Sequence, residues 1–285
     1  MIFLHKYHEA QFIKDGFIII EDFIDAKTIS EVTDFYESFQ FEKKAELNTN
    51  IKCCNNEDNF KISEFIKQKF EPGIKKNFSE YQLSGGVFIM KGSGEESVSS
   101  LHQDCNVVDE KKFISLSIWC PLIDVNDKNG CIQVIPGSHK WFDTIRSFNI
   151  PSQFIDFKTV DSILRPVPLK AGSAVIFAHN LFHGSKPNKT NEFRVAATYS
   201  IASKDAPVIH YIKNGDKIQT CLADEDFLLN KAKLLLEGEV EIGAKIINEF
   251  PVEKRFFLTK EDIHKKVNQL NRKNFHIKNL FKWNR

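Results

Sequence analysis

Residues 85–139 read GGVFIMKGSGEESVSSLHQDCNVVDEKKFISLSIWCPLIDVNDKNGCIQVIPGSH. Short runs rich in β-branched and aromatic residues (87–91, 98–103, 113–119 and 131–135) alternate there with turn residues such as Gly130 and the Pro136-Gly137 pair. The run 113–119 alternates in part, with Phe113 and Trp119 at its ends, as a half-buried strand does. Beyond it, Ala171-Gly172 marks a further turn, and strand-like runs follow at 174–179 and 194–201. Several short strands at this spacing predict an antiparallel sandwich or barrel, and a jelly roll (a double-stranded β-helix, cupin-like) fits best.

Outward from this core the patterns change. Residues 16–24 (GFIIIEDFI) predict a buried strand. Asp25 or Thr28 then opens a helix whose apolar positions Ile29, Val32, Phe35, Tyr36 and Phe39 follow the 3.6-residue period. Residues 42–80 are Lys-rich with one helical stretch at 62–70. After Ile201 the pattern turns helical. Residues 227–236 read as one amphipathic helix and 261–271 as another, with Ile263 and Val267 on one face. There is no internal repeat and no low-complexity linker. The expectation is a mainly β fold with flanking helices (α+β). It forms a single domain over residues 1–285: a strand/helix region 1–84, a jelly-roll core at about 85–201 and a helical, basic extension 202–285.

The composition is that of a folded chain: 42% hydrophobic and 27% charged residues in 285 exclude intrinsic disorder. Thirty-nine Lys+Arg stand against 38 Asp+Glu, a balance that argues against a nucleic-acid partner. That balance is a cancellation. Residues 254–285 carry ten basic and two acidic residues, so the first 253 sum to −7. A basic helix packed on an acidic body is the expected arrangement, and it leaves a local surface able to meet an anionic substrate or partner. The six cysteines (53, 54, 105, 120, 131 and 221) form neither a CxxC pattern nor a disulfide framework. Reduced thiols in a cytoplasmic protein are expected. His5, Lys6 and His8 interrupt any secretory leader, and no run approaches the ~20 apolar residues of a membrane span.

The common catalytic signatures GxSxG, GxxxxGK[ST], HExxH and GxGxxG are absent. Four histidines remain in the β-rich region: His102, His139, His179 and His183. His102-Gln103-Asp104 lies near the end of a predicted strand, where residues i and i+2 share a face. A second histidine would complete a 2-His-1-carboxylate triad, which leaves three positions open on Fe(II). A bare His-x-Asp is more often a turn or a surface pair, and His179 and His183, at i and i+4, could each supply the third donor. His5, His8, His210, His264 and His276 are isolated, and surface positions are expected for them.

The surroundings carry more. Leu101-His-Gln-Asp104, Trp119-Cys-Pro-Leu-Ile-Asp-Val125, Asn129-Gly-Cys-Ile-Gln-Val-Ile-Pro-Gly-Ser-His139, His183-Gly-Ser185 and Arg194 occur in that order. With the opening F-x-x-x-G-F-I-I-I-E-D-F-I from Phe12 and the Lys91-Gly92 step, they resemble the phytanoyl-CoA dioxygenase (PhyH) family of Fe(II)/2-oxoglutarate-dependent oxygenases, over about residues 12–201. The resemblance implies His102, Asp104 and His183 as iron ligands. It implies Arg194 as the partner of the distal carboxylate of 2-oxoglutarate, which a planar guanidinium meets with two parallel hydrogen bonds. Ser185 and Trp119 match positions lining the cosubstrate site, and Gln133 is a weaker candidate there. His179 is then a core or supporting residue, and His139 a turn histidine. Related halogenating enzymes carry a small residue in place of the carboxylate, so Asp104 favours hydroxylation. The implied activity is hydroxylation of an unactivated C–H bond of a small molecule, with O2 consumed and 2-oxoglutarate converted to succinate and CO2. The alternatives are desaturation or cyclisation on the same iron, a cupin-type enzyme without 2-oxoglutarate, or a non-catalytic jelly-roll binding or sensing protein. Residues 141–165 and 105–112 and the added helical segments are the expected determinants of the substrate.

Overall fold

The computed structural model describes residues 2–142, 144–150, 163–252, 259 and 261–269. In chain order the elements are α1 (Lys6–Asp15), β1 (Phe17–Ile20), α2 (Ala26–Ser38), β2 (Leu47–Thr49), α3 (Asn50–Cys53), α4 (Asn56–Asn77), β3 (Tyr81–Lys91), β4 (Ser99–His102), β5 (Ser115–Pro121) and β6 (Ile132–Val134). They continue with β7 (Arg165–Pro166), β8 (Ala174–Ala178), β9 (His183–Ser185), β10 (Arg194–Ser203), β11 (Ile209–Asn214), β12 (Lys217–Leu222) and β13 (Lys245–Pro251). A six-stranded sheet runs β1-β8-β5-β10-β3-β2, a four-stranded one β4-β9-β6-β7, and a third β11-β12-β13. All the pairings are antiparallel. The first two sheets line one cavity from opposite sides and do not close, which is the expected jelly roll with open edges.

Strand alternation divides the six-stranded sheet between two tasks. On one face, Phe88, Tyr199 and Ile201 join Val32 of α2 and Ile62, Ile66, Phe70 and Ile74 of α4 in a continuous core. The four-residue steps along α4 keep those side chains on one stripe, and Phe35 stacks on Phe65 with ring centres 3.7 Å apart. Gly86 lets α4 approach, because a Cβ there would lie 2.7 Å from the Tyr199 ring and 3.1 Å from Ile66. On the other face, Val87, Ile89, Ser117, Trp119, Phe177, Thr198 and Ser200 line the cavity.

Asp25 opens α2, accepting from the Thr28 N–H at 2.8 Å. The sequence pattern missed α1 and showed only part of α4. It also gave the wrong character to the segment after Ile201. Expected to be helical, that segment folds into β11–β13. The reason is local: Asn214-Gly215-Asp216 is a hairpin signal between alternating runs, with Gly215 at φ +61°. The expected helix at 227–236 is present, but as a π-helix over Phe227–Lys231 that runs into a 3-10 helix over Ala232–Glu237 rather than as a regular α-helix. Residues 261–269 are helical, and Ile263 packs with Leu101, Trp141 and Phe182. The rest of the basic segment 254–285 lies outside the described residues, apart from Thr259. Among the described residues no helix is long and apolar enough to cross a membrane.

Gly16, at φ +80°, ends α1 and lets β1 pass against His139, where a Cβ would come within 2.3 Å of Nδ1. Gly16→Ala combines a left-handed backbone with overpacking, and is expected to destabilise the fold by about 2–4 kcal/mol in urea unfolding.

Candidate functional site

The antiparallel pairing of β4 with β9 sets His102 directly opposite His183, with a register shift between Ser99 and His102 that acts as a bulge. Their rings lie 4.3 Å apart. His102 Nδ1 is 2.7 Å from the Ser100 carbonyl and His183 Nδ1 is 3.0 Å from that of Leu181. A carbonyl only accepts, so each Nδ1 holds the proton and each Nε2 presents a lone pair. Those Nε2 atoms are 3.7 and 3.6 Å from Asp104 Oδ1, and donor atoms of the three residues lie within 4.8 Å of one another. The set fits a divalent transition metal: two neutral imidazoles, one carboxylate oxygen and an adjoining cavity for further ligands.

Asp104 is held on every side but one. Its N–H donates to the His179 carbonyl at 2.8 Å, and its Oδ2 accepts from the Ser117 hydroxyl at 2.8 Å. Burial alone would push its carboxyl up. The imidazoles of His183, His179 and His102 and the Ser117 hydroxyl outweigh burial and hold it below the usual carboxylate range. Burial, with His102 beside it, holds His183 below the usual imidazole range, the neutral form a metal requires.

Arg194 opens β10 and is 2% exposed. Its guanidinium carbon sits 5.1 Å over the Trp119 ring, and Nε and one terminal nitrogen have no hydrogen-bond partner. Burial pulls this cation below its ordinary range. A desolvated guanidinium with unfilled donors is a site for a carboxylate. Lys91, paired with Arg194 across β3 and β10, is wholly buried. It donates to the carbonyls of Ser97 and Lys186, and burial with Arg194 beside it lowers its ammonium to about 7.

His102, Asp104, His183, Arg194, Ser185 and Trp119 all line one cavity of about 650 Å³. Gln133 does not. Strand alternation turns Ile132 into the cavity, while Gln133 is buried with its Oε1 unpaired. His179 lines the cavity beside Asp104, and burial lowers it to about 4. His139 packs near Phe12, away from the cavity, in its turn. Two isolated histidines expected at the surface are buried: His8 is 4% and His210 0% exposed. His210 lies on β11, its Nε2 3.1 Å from the Ser147 hydroxyl, and it borders the cavity. Ser117 was legible in principle, since it shares a strand face with Trp119 two residues on. Lys91 was not, because only the β3–β10 register brings it to Arg194.

The phytanoyl-CoA dioxygenase (PhyH) family model matches residues 12–196. The chain belongs to that family. It is similar to the dioxygenase olcK of Penicillium canescens, 28% identical over 128 residues, which are 42% of this chain and 38% of that protein. It is also similar to the dioxygenase cdmA of Talaromyces verruculosus, 24% identical over 207 residues, 64% of this chain and 67% of that one. The match thus spans well under half of the first relative's length. Among solved structures the fold is like that of HygX from Streptomyces hygroscopicus with nickel, 2-oxoglutarate and hygromycin B bound. That likeness has a TM-score of 0.50 at 14% identity, over 71% of this chain and 88% of that one. Residues 197–252, beyond the family match, contribute His210, Leu228, Leu229, Lys233 and Leu236 to the cavity wall.

Burial lowers His210 from 6.5 to about 4. Between those values the unfolded chain takes up a proton that the folded chain refuses, so stability falls as pH falls. The slope from this one residue is about 1.4 kcal/mol per pH unit. His210→Gln is expected to flatten the acid limb of urea midpoints measured from pH 7 to pH 4 by one proton's worth.

Proposed function

We propose that this chain is an Fe(II)/2-oxoglutarate-dependent dioxygenase that hydroxylates an unactivated C–H bond of a small molecule. The observation that carries this reading is the unpaired Arg194 guanidinium in the same cavity as the His102, Asp104 and His183 donors. A metal-dependent cupin without an oxo-acid cosubstrate has no need of such a buried cation. We read residues 1–285 as one oxygenase domain, and the six free cysteines suit a reducing, cytoplasmic setting in which iron stays ferrous.

With Fe(II), 2-oxoglutarate and O2 bound, the site would couple decarboxylation of the oxo-acid to succinate and CO2 with transfer of one oxygen atom to substrate. The protein's part is to orient reactants and exclude water. His102 and His183 would hold the metal through Nε2 and Asp104 through Oδ1. Arg194 would take the far carboxylate of 2-oxoglutarate, with the Ser185 hydroxyl as a further donor and Trp119 as a wall. Val87, Ile89, Ile145, Leu228 and Leu229 make the remaining walls largely apolar, which suits a substrate with an apolar body presenting a C–H bond to the metal. The cavity is of small-molecule size.

Anaerobic addition of Fe(II) and 2-oxoglutarate is expected to give the weak visible charge-transfer band of the chelate, and His183→Ala to abolish it. Arg194→Ala is expected to keep Fe(II) binding while weakening 2-oxoglutarate about 100-fold or more, the loss of two charge-assisted hydrogen bonds. Succinate release then reports turnover across a substrate panel. If 2-oxoglutarate fails to bind and succinate never forms, the reading is overturned in favour of a binding module.

A further inference from the structure

Beyond its two metal-facing neighbours, Asp104 is gripped from the segments 105–112 and 141–165, for which the sequence suggested only a part in choosing the substrate. Arg146 Nε donates to the Asp104 carbonyl at 2.6 Å, one terminal nitrogen to the Thr144 carbonyl at 2.8 Å, and the other to Glu110 Oε1 at 2.5 Å. The side chains of Arg146 and Glu110 are only 10% and 11% exposed, so this is a buried, charge-assisted clamp. Around it, Arg146 N–H donates to Asn106 Oδ1 at 2.7 Å, and the Asn106 N–H to the Arg146 carbonyl at 3.3 Å. The Thr144 hydroxyl donates to Gln103 Oε1 at 2.9 Å, and Gln103 Nε2 to the Asn180 carbonyl at 2.6 Å.

The segment is held in turn from the sheet beyond the family match. Asn149 Nδ2 donates to the Lys213 carbonyl at 2.8 Å and Lys213 N–H returns a bond to Asn149 Oδ1 at 3.1 Å. The Ser147 hydroxyl meets His210 Nε2, and Ile209 N–H donates to the Val107 carbonyl at 2.9 Å. A continuous set of hydrogen bonds therefore runs from β11 through residues 144–150 to the main chain of Asp104.

We propose that Arg146, locked by Glu110 and braced by β11, is a positioning residue that fixes the Asp104 carboxylate toward the two imidazoles. With the Asp104 N–H on His179, its carbonyl on Arg146 and Oδ2 on Ser117, only Oδ1 is left to face Nε2 of His102 and His183. Only a guanidinium makes all three bonds in one plane; a lysine keeps the Glu110 pair and loses the fork. The proposal rests on the metal-site reading above, and its test separates the two.

The experiment is Co(II) titration of the metal-free protein, followed by its visible absorption and by calorimetry, with far-ultraviolet dichroism and thermal unfolding as controls. The variants are Arg146→Lys, the double variant Arg146→Ala/Glu110→Ala, which removes both partners of that ion pair together, and His102→Ala. Loss of such an orienting partner weakens metal binding about 10- to 100-fold. That loss, with an altered cobalt spectrum, is expected in the double variant, and a smaller loss in Arg146→Lys with the dichroism unchanged. Wild-type affinity and spectrum in a folded Arg146→Lys protein overturn the positioning role even where the double variant fails to fold. Undiminished binding by His102→Ala overturns instead the metal-site reading on which the role depends.

Discussion

Everything at the candidate site depends on one cross-strand pair. Residues directly opposite in an antiparallel ladder have Cβ atoms about 5 Å apart, and β4 and β9 put His102 and His183 in that relation. Each imidazole is then oriented by the carbonyl two residues before it in the chain, Ser100 within β4 for one and Leu181 just ahead of β9 for the other. The same i−2 carbonyl contact recurs at both histidines, so backbone geometry turns two Nε2 lone pairs toward the same point. Asp104 completes the set only because the chain leaves β4 immediately after His102 and its N–H is caught by the His179 carbonyl. The sheet supplies the two neutral donors, and the turn supplies the charged one.

Arg194 shows the same economy on the larger sheet. It lies on the cavity face of β10, in step with Thr198 and Ser200, so strand alternation aims it inward. Below it Lys91 is neutralised in part by burial and tied to two carbonyls. Two adjacent buried cations without an anion are costly, a cost that the carboxylate proposed above for Arg194 would ease.

The central strands were legible in the sequence because Gly and Pro punctuate them and their apolar residues alternate. The His-x-Asp pair, His183 and Arg194 were legible through the ordered motifs around them. What was hidden depended on pairing between distant segments. The burial of His210 follows from β11 packing beside residues 144–150, and the link between Lys91 and Arg194 from the β3–β10 register. Gln133 shows the limit of parity arguments in a three-residue strand, where the inward face belongs to Ile132. The C-terminal hairpin was readable from Asn214-Gly215, and the leucines at 228–236 do mark a helical stretch, but their periodicity does not show that it winds first wide and then tight. The role of Arg146 had no sequence signal, since a single Arg in a loop looks the same whether it clamps a carbonyl or waves in solvent.

The separation of the large sheet into two faces has a consequence for how such a cavity changes. Tyr199, Phe88 and Ile201 belong to the helix-covered core, while Thr198, Ser200, Val87 and Ile89, their immediate neighbours in the chain, border the cavity. Substitutions at every second position therefore re-line the chamber without opening a void beneath the helices. A further wall comes from residues 210–236, on elements that share no strand with either sheet of the jelly roll. The architecture is modular at single-residue resolution: one set of side chains answers to folding, the interleaved set to whatever molecule the chamber receives.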